Sequence, residues 1–200
     1  MCSALRAYLL TLTMPFLMFS ASGIRAVDFR NFEYPWDPPV LGAPATWAWL
    51  HEEPGTSAHL RDGKHDFSDS ETPEGTYRGV HLTFSSVTYG DLNGDGQDDA
   101  AVDLLFSTDG TLNWHYLYVF TLKKRLPTLL ARLRSGSRAD GGLYGVRIDR
   151  GSLVLDFADA NRRMGDCCSE GYVRTRYRYQ NGVFVETSKR EFGDVGKPRR

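Results

Sequence analysis

The sequence lacks most of the short motifs that mark an enzyme. It has no H-E-x-x-H pair for zinc, no Walker-type phosphate loop and no G-x-G-x-x-G dinucleotide fingerprint. The stretch RSGSRADGG lacks the frame of a G-x-S-x-G nucleophile elbow. Cysteine is scarce: Cys2, Cys167 and Cys168 make up the whole complement, with no C-x-x-C spacing of a thiol oxidoreductase. The five histidines, at 51, 59, 65, 81 and 115, are scattered. A zinc site from His51, His59 and His65 is conceivable, but such spacing reads first as separate surface or core histidines. Charge of one sign is also missing. The chain has 24 basic and 25 acidic residues and a net charge of −1, so nothing draws it as a whole toward nucleic acid or anionic membrane.

Long apolar runs are confined to the N-terminus. MCSALRAY carries one arginine, LLTLTMPFLMFS is an apolar run of twelve, and small residues follow in ASG and IRA. That order is the order of a secretory signal peptide, and the run is too short to span a bilayer comfortably. Cleavage is expected after Gly23 or Ala26. Cys2 precedes the run and is not placed for lipid attachment. Removing residues 1–26 takes away Arg6 and Arg25, leaving 22 basic against 25 acidic residues and a net charge of −3. The mature protein is expected to be secreted or periplasmic, with no membrane span.

The remaining chain divides into a loop-rich cover over 27–77, a β domain over 78–190 and a flexible tail over 191–200. Pro35, Pro38, Pro39 and Pro44 interrupt the first part and work against long regular elements. Phe29, Phe32, Tyr34, Trp36, Trp47 and Trp49 are too many aromatics for a free linker. They predict packing over a sheet in preference to a carbohydrate-binding strip. From residue 78, GVHLTFSSVTYG, AAVDLLFS, WHYLYVFTL, LYGVRID, SLVLDF, YVRTRYRYQ and VFVET read as strands. Asp109-Gly110, Gly141-Gly142, Arg150-Gly151 and Asn181-Gly182 punctuate them, and Asn181-Gly182 predicts a two-residue hairpin turn. KKRLPTLLARLRSG holds Pro127 and reads as strand rather than helix. The expected fold is mostly β, an antiparallel meander or sandwich of about seven or eight strands.

Strict alternation in YVRTRYRYQ puts Arg174, Arg176 and Arg178 on one face and Val173, Thr175, Tyr177 and Tyr179 on the other. An anion site is the sharper reading of the arginine row. A solvated sheet face with a cross-strand partner such as Glu186 is the plainer one, and is preferred.

The stretch VTYGDLNGDGQDDAAV is the most specific signal. Asp91, Asn93 and Asp95 sit at alternate positions, Gly94 and Gly96 allow a tight turn, Gln97 offers its backbone carbonyl, and Asp99 closes the set. Calcium takes six to eight hard oxygen ligands, which this set supplies. The helix–loop–helix version needs a glutamate at loop position 12, where this chain has Val102. The flanks are strand-like, so a structural Ca2+ between two strands is expected. The alternative is an acidic turn without metal.

The loop resembles the calcium-binding loops of FG-GAP and VCBS-type repeats. With VDFRNFEYPW, HLRDGKHDF, LYVF, RSGSRADGG and DCCSEGYVRTRYRY, the chain is similar to a loose group of uncharacterised, exported, β-rich bacterial proteins. That resemblance implies calcium in an exported β-rich domain and implies no catalytic residues. FG-GAP repeats come in series and build propellers, whereas this chain has one such loop.

Adjacent Cys167 and Cys168, in an exported chain, are expected to form a vicinal disulfide clasp ahead of the final hairpin. Free thiols or an intermolecular link are the alternatives. The expected function is a non-enzymatic, calcium-stabilised exported module that binds a protein or a glycan. The alternative is a secreted hydrolase using a carboxylate pair or the loop metal.

Overall fold

A computed structural model of the chain describes residues 23–37, 47–52, 54–68, 79–110, 112–165 and 167–196. The leader expected over 1–26 falls outside them except for its last four positions, and so do 38–46, 53 and 69–77 of the expected cover.

The described residues are mostly β, in several antiparallel sheets. The N-terminal segment contributes β1 (Glu33–Trp36), β2 (Ala48–Leu50), β3 (Thr56–His59) and β4 (Lys64–Asp66). Long strands follow: β5 (His81–Gly90), β6 (Asp99–Ser107), β7 (Asn113–Lys123) and β8 (Leu126–Arg134). After them come β9 (Leu143–Asp149), β10 (Ser152–Ala158), β11 (Arg163–Met164) and β12 (Cys168–Ser169). The chain closes with β13 (Gly171–Gln180), β14 (Val183–Glu186) and β15 (Glu191–Asp194).

The larger sheet has the order β2-β8-β7-β6-β5-β4. The second runs β14-β13-β10-β9, with β15 also on β13. Strand β6, DAAVDLLFS, explains the layering. It is almost wholly buried, as a strand covered on both faces must be. Its Ala100, Val102, Leu104 and Phe106 point to one side, with Trp114, Tyr116, Tyr118 and Phe120 of β7. There they meet Ile24, Phe29, Tyr34 and Trp36 of the N-terminal segment. On the other side, Ala101, Leu117, Val119 and Leu133 meet Leu153, Leu155, Phe157 and Tyr177 of the second sheet. The chain is therefore a sandwich with a third layer laid on the outside of its larger sheet.

The N-terminal aromatics are core groups. Trp36 lies 4.8 Å from Tyr116, the Tyr34 hydroxyl donates to the Phe29 carbonyl at 2.7 Å, and the Tyr118 hydroxyl donates to the Pro35 carbonyl at 2.8 Å. Trp47 and Trp49 belong to the other core, stacked on Phe157 and Phe184.

Three local features differ from the sequence reading. Residues 191–194 are strand β15, paired with the first half of β13 (Gly171↔Asp194 to Arg174↔Glu191), and not a loose tail. The 27–77 segment carries four short strands. Ile24, in a 3-10 turn over Ile24–Ala26, is buried in the first core, and Arg25 Nε reaches Asp98 Oδ2 at 2.6 Å. Cleavage after Ala26 would remove both. The Asn181-Gly182 turn is as expected, with φ of 51° and 89° joining β13 to β14.

Candidate metal site

Strands β5 and β6 close at the Gly90↔Asp99 pair, and residues 91–98 form the loop between them. The sequence makes this loop fold on its own side chains. Asp91 accepts from Gly94 N at 2.7 Å and from Gly96 N at 2.9 Å. The Asn93 amide oxygen accepts from Asp95 N at 2.8 Å, and Asp95 accepts from Gln97 N at 2.9 Å. Each is a short polar side chain capping a backbone N–H two to five residues on, the turn chemistry of Asp and Asn. Gly94 and Gly96 both stand at φ +81°, a region closed to most side chains.

Asp99 lies underneath. It is fully buried and accepts from Leu92 N at 2.8 Å and Asn93 N at 3.0 Å. The Asn93 side-chain nitrogen donates to Asp99 Oδ1 at 3.2 Å and to Thr121 Oγ1 at 2.9 Å, tying the loop to β7. Burial pushes the Asp99 carboxyl above the usual carboxylate range and the nearby Asp95 charge adds to this, against hydrogen bonds that lower it. Among the described residues no lysine, arginine or histidine pairs with Asp99.

Of the residues expected to hold calcium, Asn93, Asp95 and Asp99 are drawn into one hydrogen-bonded network, while Asp91 bonds the loop backbone at Gly94 and Gly96. Gln97 joins it through its backbone N–H. Asp98, outside the expected set, turns away to Arg25, whose guanidinium also lies 4.7 Å from the Tyr89 ring centre. Among the described residues no three His, Cys, Asp or Glu side chains gather where a metal ion could sit. A cage here has to draw on the Asn93 amide oxygen and on backbone carbonyls as well as on carboxylates. The donor chemistry is all hard oxygen and so fits calcium rather than zinc or copper.

The other candidates separate. The sulfurs of Cys167 and Cys168 are paired with each other, Cys167 just before β12 and Cys168 at its first position. His65 Nδ1 sits 2.9 Å from the His59 carbonyl oxygen. His51 lines a different hollow, of about 300 Å³, with Trp49, Leu130, Arg132 and Phe184. The arginine row faces outward as alternation predicts, but its partners are not those expected. Glu186 sits opposite Tyr177 and holds Arg190, at 3.0 Å. Arg174 instead clamps Asp156 of β10 with two bonds, of 2.6 and 3.0 Å, and Arg176 holds Asp149 at 2.9 Å.

Two pairings had no expectation attached. Asp103 of β6 holds His115 Nδ1 of β7 at 2.8 Å, on the side of the larger sheet that faces the second sheet. His81 lies between Asp66, at 2.7 Å, and Asp109, at 3.3 Å. The first had a visible signal: a single aspartate inside the apolar run AAVDLLF has to find a donor. The second had none, because Asp66 and Asp109 come from loop-like sequence. Comparison of the chain with protein-family models, curated proteins and solved structures finds no match.

Proposed function

We propose that this protein is an exported, non-enzymatic β module whose 91–99 loop holds a structural Ca2+, and that it serves as a binding protein for a protein or glycan partner. The observation that carries the calcium reading is Asp99: a fully buried carboxylate with no cationic side chain paired to it among the described residues. Buried charges in proteins are paired or coordinate metals. Asp91, Asn93, Asp95 and the Gln97 carbonyl stand with Asp99 as the oxygen donors for the ion, in keeping with the resemblance to FG-GAP and VCBS-type loops. Bound there, calcium neutralises the clustered carboxylates and fastens the ends of β5 and β6. The chain's part is to present hard oxygens from a loop whose backbone is already folded by its own Asx bonds.

The export reading rests on the N-terminal sequence, and the burial of Ile24 favours a leader ending before that residue. Thermal melting of residues 24–200, with calcium and with excess chelator, tests the metal. A cation that binds only the folded state at a hundred times its Kd adds about 2.7 kcal/mol. For a chain of this size that is about 5–10 °C in Tm. Asp95→Ala should abolish the shift. A wild-type Tm that ignores both calcium and chelator would make the loop a self-bonded turn and end the calcium reading.

A further inference from the structure

The outer face of the second sheet carries a charge imbalance confined to one end. Along β13 the side chains of Arg174, Arg176 and Arg178 point outward in sequence. Arg174 is consumed: it is nearly buried and doubly bonded to Asp156, which also takes Arg147 at 3.2 Å. Arg176 is held by Asp149. Between Arg147 and Arg176 their shared neighbour Val154 is completely buried, so the stems of these arginines roof the sheet. Up to this point the row is a structural lattice.

Arg178 breaks the pattern. It is exposed, and among the described residues it makes no ion pair. Next to it stands Arg150, in the β9–β10 turn, 95% exposed; its nearest acid, Asp149, is 4.0 Å away and already committed to Arg176. Three guanidiniums therefore share one carboxylate, and the surplus is +2. They surround a hollow of about 520 Å³ whose remaining walls are Ser152, Gln180 and Thr187. A second hollow, of about 410 Å³, shares Arg150, Arg178 and Gln180 and continues to Asp91, Asn93 and Gly94 of the acidic loop. Together they make a polar trough from Thr187 to the loop.

We propose that this trough binds an acidic oligosaccharide, with a sulfate or carboxylate group seated on Arg178 and Arg150. A guanidinium fork offers paired N–H donors in the geometry of an oxyanion. Ser, Thr and Gln side chains suit sugar hydroxyls. The volume of either hollow exceeds that of a lone ion. An extended peptide would be expected at a sheet edge, where backbone groups are free, whereas this trough lies on a sheet face. Nucleic-acid bases need exposed rings to stack on; Tyr179, the ring beside the trough, is packed against Phe184 at 5.2 Å. The proposal narrows the protein-or-glycan reading above to an acidic glycan. It does not need the loop metal, although a cation held at Asp91–Asp99 would lower the negative charge at that end of the trough.

Calorimetric titration of residues 24–200 tests it. The probes are a heparin hexasaccharide, a hexagalacturonate, neutral maltohexaose, inorganic sulfate, oligo-dT and a poly-Glu peptide of matched charge. The expected result is saturable binding of at least one acidic hexasaccharide, no binding of maltohexaose, and at least tenfold weaker binding for Arg178→Glu and for Arg150→Glu. Arg178→Gln, which changes less, should lie between wild type and Arg178→Glu. Unchanged binding in both charge-reversal variants would overturn the proposal. So would tighter binding of oligo-dT or poly-Glu through the same arginines, or displacement by inorganic sulfate at equal ionic strength with no preference for the saccharide. Each variant is also melted with and without calcium. A retained calcium shift beside lost saccharide binding, or the reverse, shows which of the two readings has failed.

Discussion

At the scale of single residues the most consequential choice is Asp156, one aspartate inside the apolar strand SLVLDFA. Burial raises its pKa, but the two bonds and the charge of Arg174, with help from Arg147, outweigh that and hold it below the usual carboxylate range. Removing one partner of a buried pair strands the other. Arg174→Met should therefore cost about 3 kcal/mol in urea unfolding. The double variant Arg174→Met, Asp156→Leu should recover most of that loss, since neither member of the buried pair is then left facing a missing partner, and Arg147, released from Asp156, keeps 30% of its side chain in water. A loss below about 1 kcal/mol for Arg174→Met would mean that Arg147 alone satisfies the carboxylate, and would sink the argument. The sequence showed which face Arg174 takes, because alternation in YVRTRYRYQ is unbroken. It did not show the partner, because at Arg174 β13 lies between β15, which supplies Glu191, and β10, which supplies Asp156 eighteen residues back. The lone Asp156 was the better clue than Glu186.

At the scale of elements, the long strands were legible, and of the short ones β14 was, because the Asn181-Gly182 turn marks it. Strands of seven to eleven residues show their alternation or their continuous apolar run, as β6, β7, β10 and β13 do. Strands β1 to β4, β11, β12 and β15 have two to four residues each, too few for a period to register. Their pairing is set by tertiary contacts that only the folded chain supplies. One of those contacts makes a pH-dependent joint. His81 opens β5 directly opposite Asp66 of β4, and its other ring nitrogen faces Asp109, just past β6. The bond to Asp66 raises the His81 pKa above its ordinary value, with Asp109 adding to it. A raised histidine pKa means that the folded state binds the proton more tightly. The stabilisation is complete below about pH 6.5, the unfolded value, and is lost as pH rises through the higher folded value. With His81 more than a third exposed, the effect should stay below about 1 kcal/mol. Melting temperatures between pH 5.5 and 8.5 should decline in the wild type and decline less in His81→Gln. Identical slopes in the two proteins would remove His81 from the account.

At the scale of the whole molecule, the larger sheet is covered on both faces, and the two covers differ in kind. One is a second sheet from the same β domain. The other is the N-terminal segment, whose aromatics announced a packing role in the sequence although its strands did not. A cover of that kind makes the start of the chain part of the core. Ile24 packs with Phe29, Tyr34 and Phe120, and Arg25 reaches across to Asp98 of the acidic loop. Composition alone allows a leader ending at Gly23 or at Ala26, since small residues stand at both places. Core packing separates them, because deletion of a buried isoleucine costs about 2–5 kcal/mol whereas loss of the exposed Arg25–Asp98 pair costs at most about 1 kcal/mol. A chain starting at Val27 should therefore melt about 6–12 °C below one starting at Ile24, taking about 3 kcal/mol and the scaling for this size. Arg25→Ala in the longer chain should lower Tm far less, which would assign the difference to Ile24. The same boundary can be read from the intact mass of protein exported from cells with its own N-terminus. A first residue at or before Ile24 agrees with the packing. A mature protein that begins at Val27 and melts as high as the longer chain would show that the 3-10 turn is dispensable and that the cover is held by its aromatics alone.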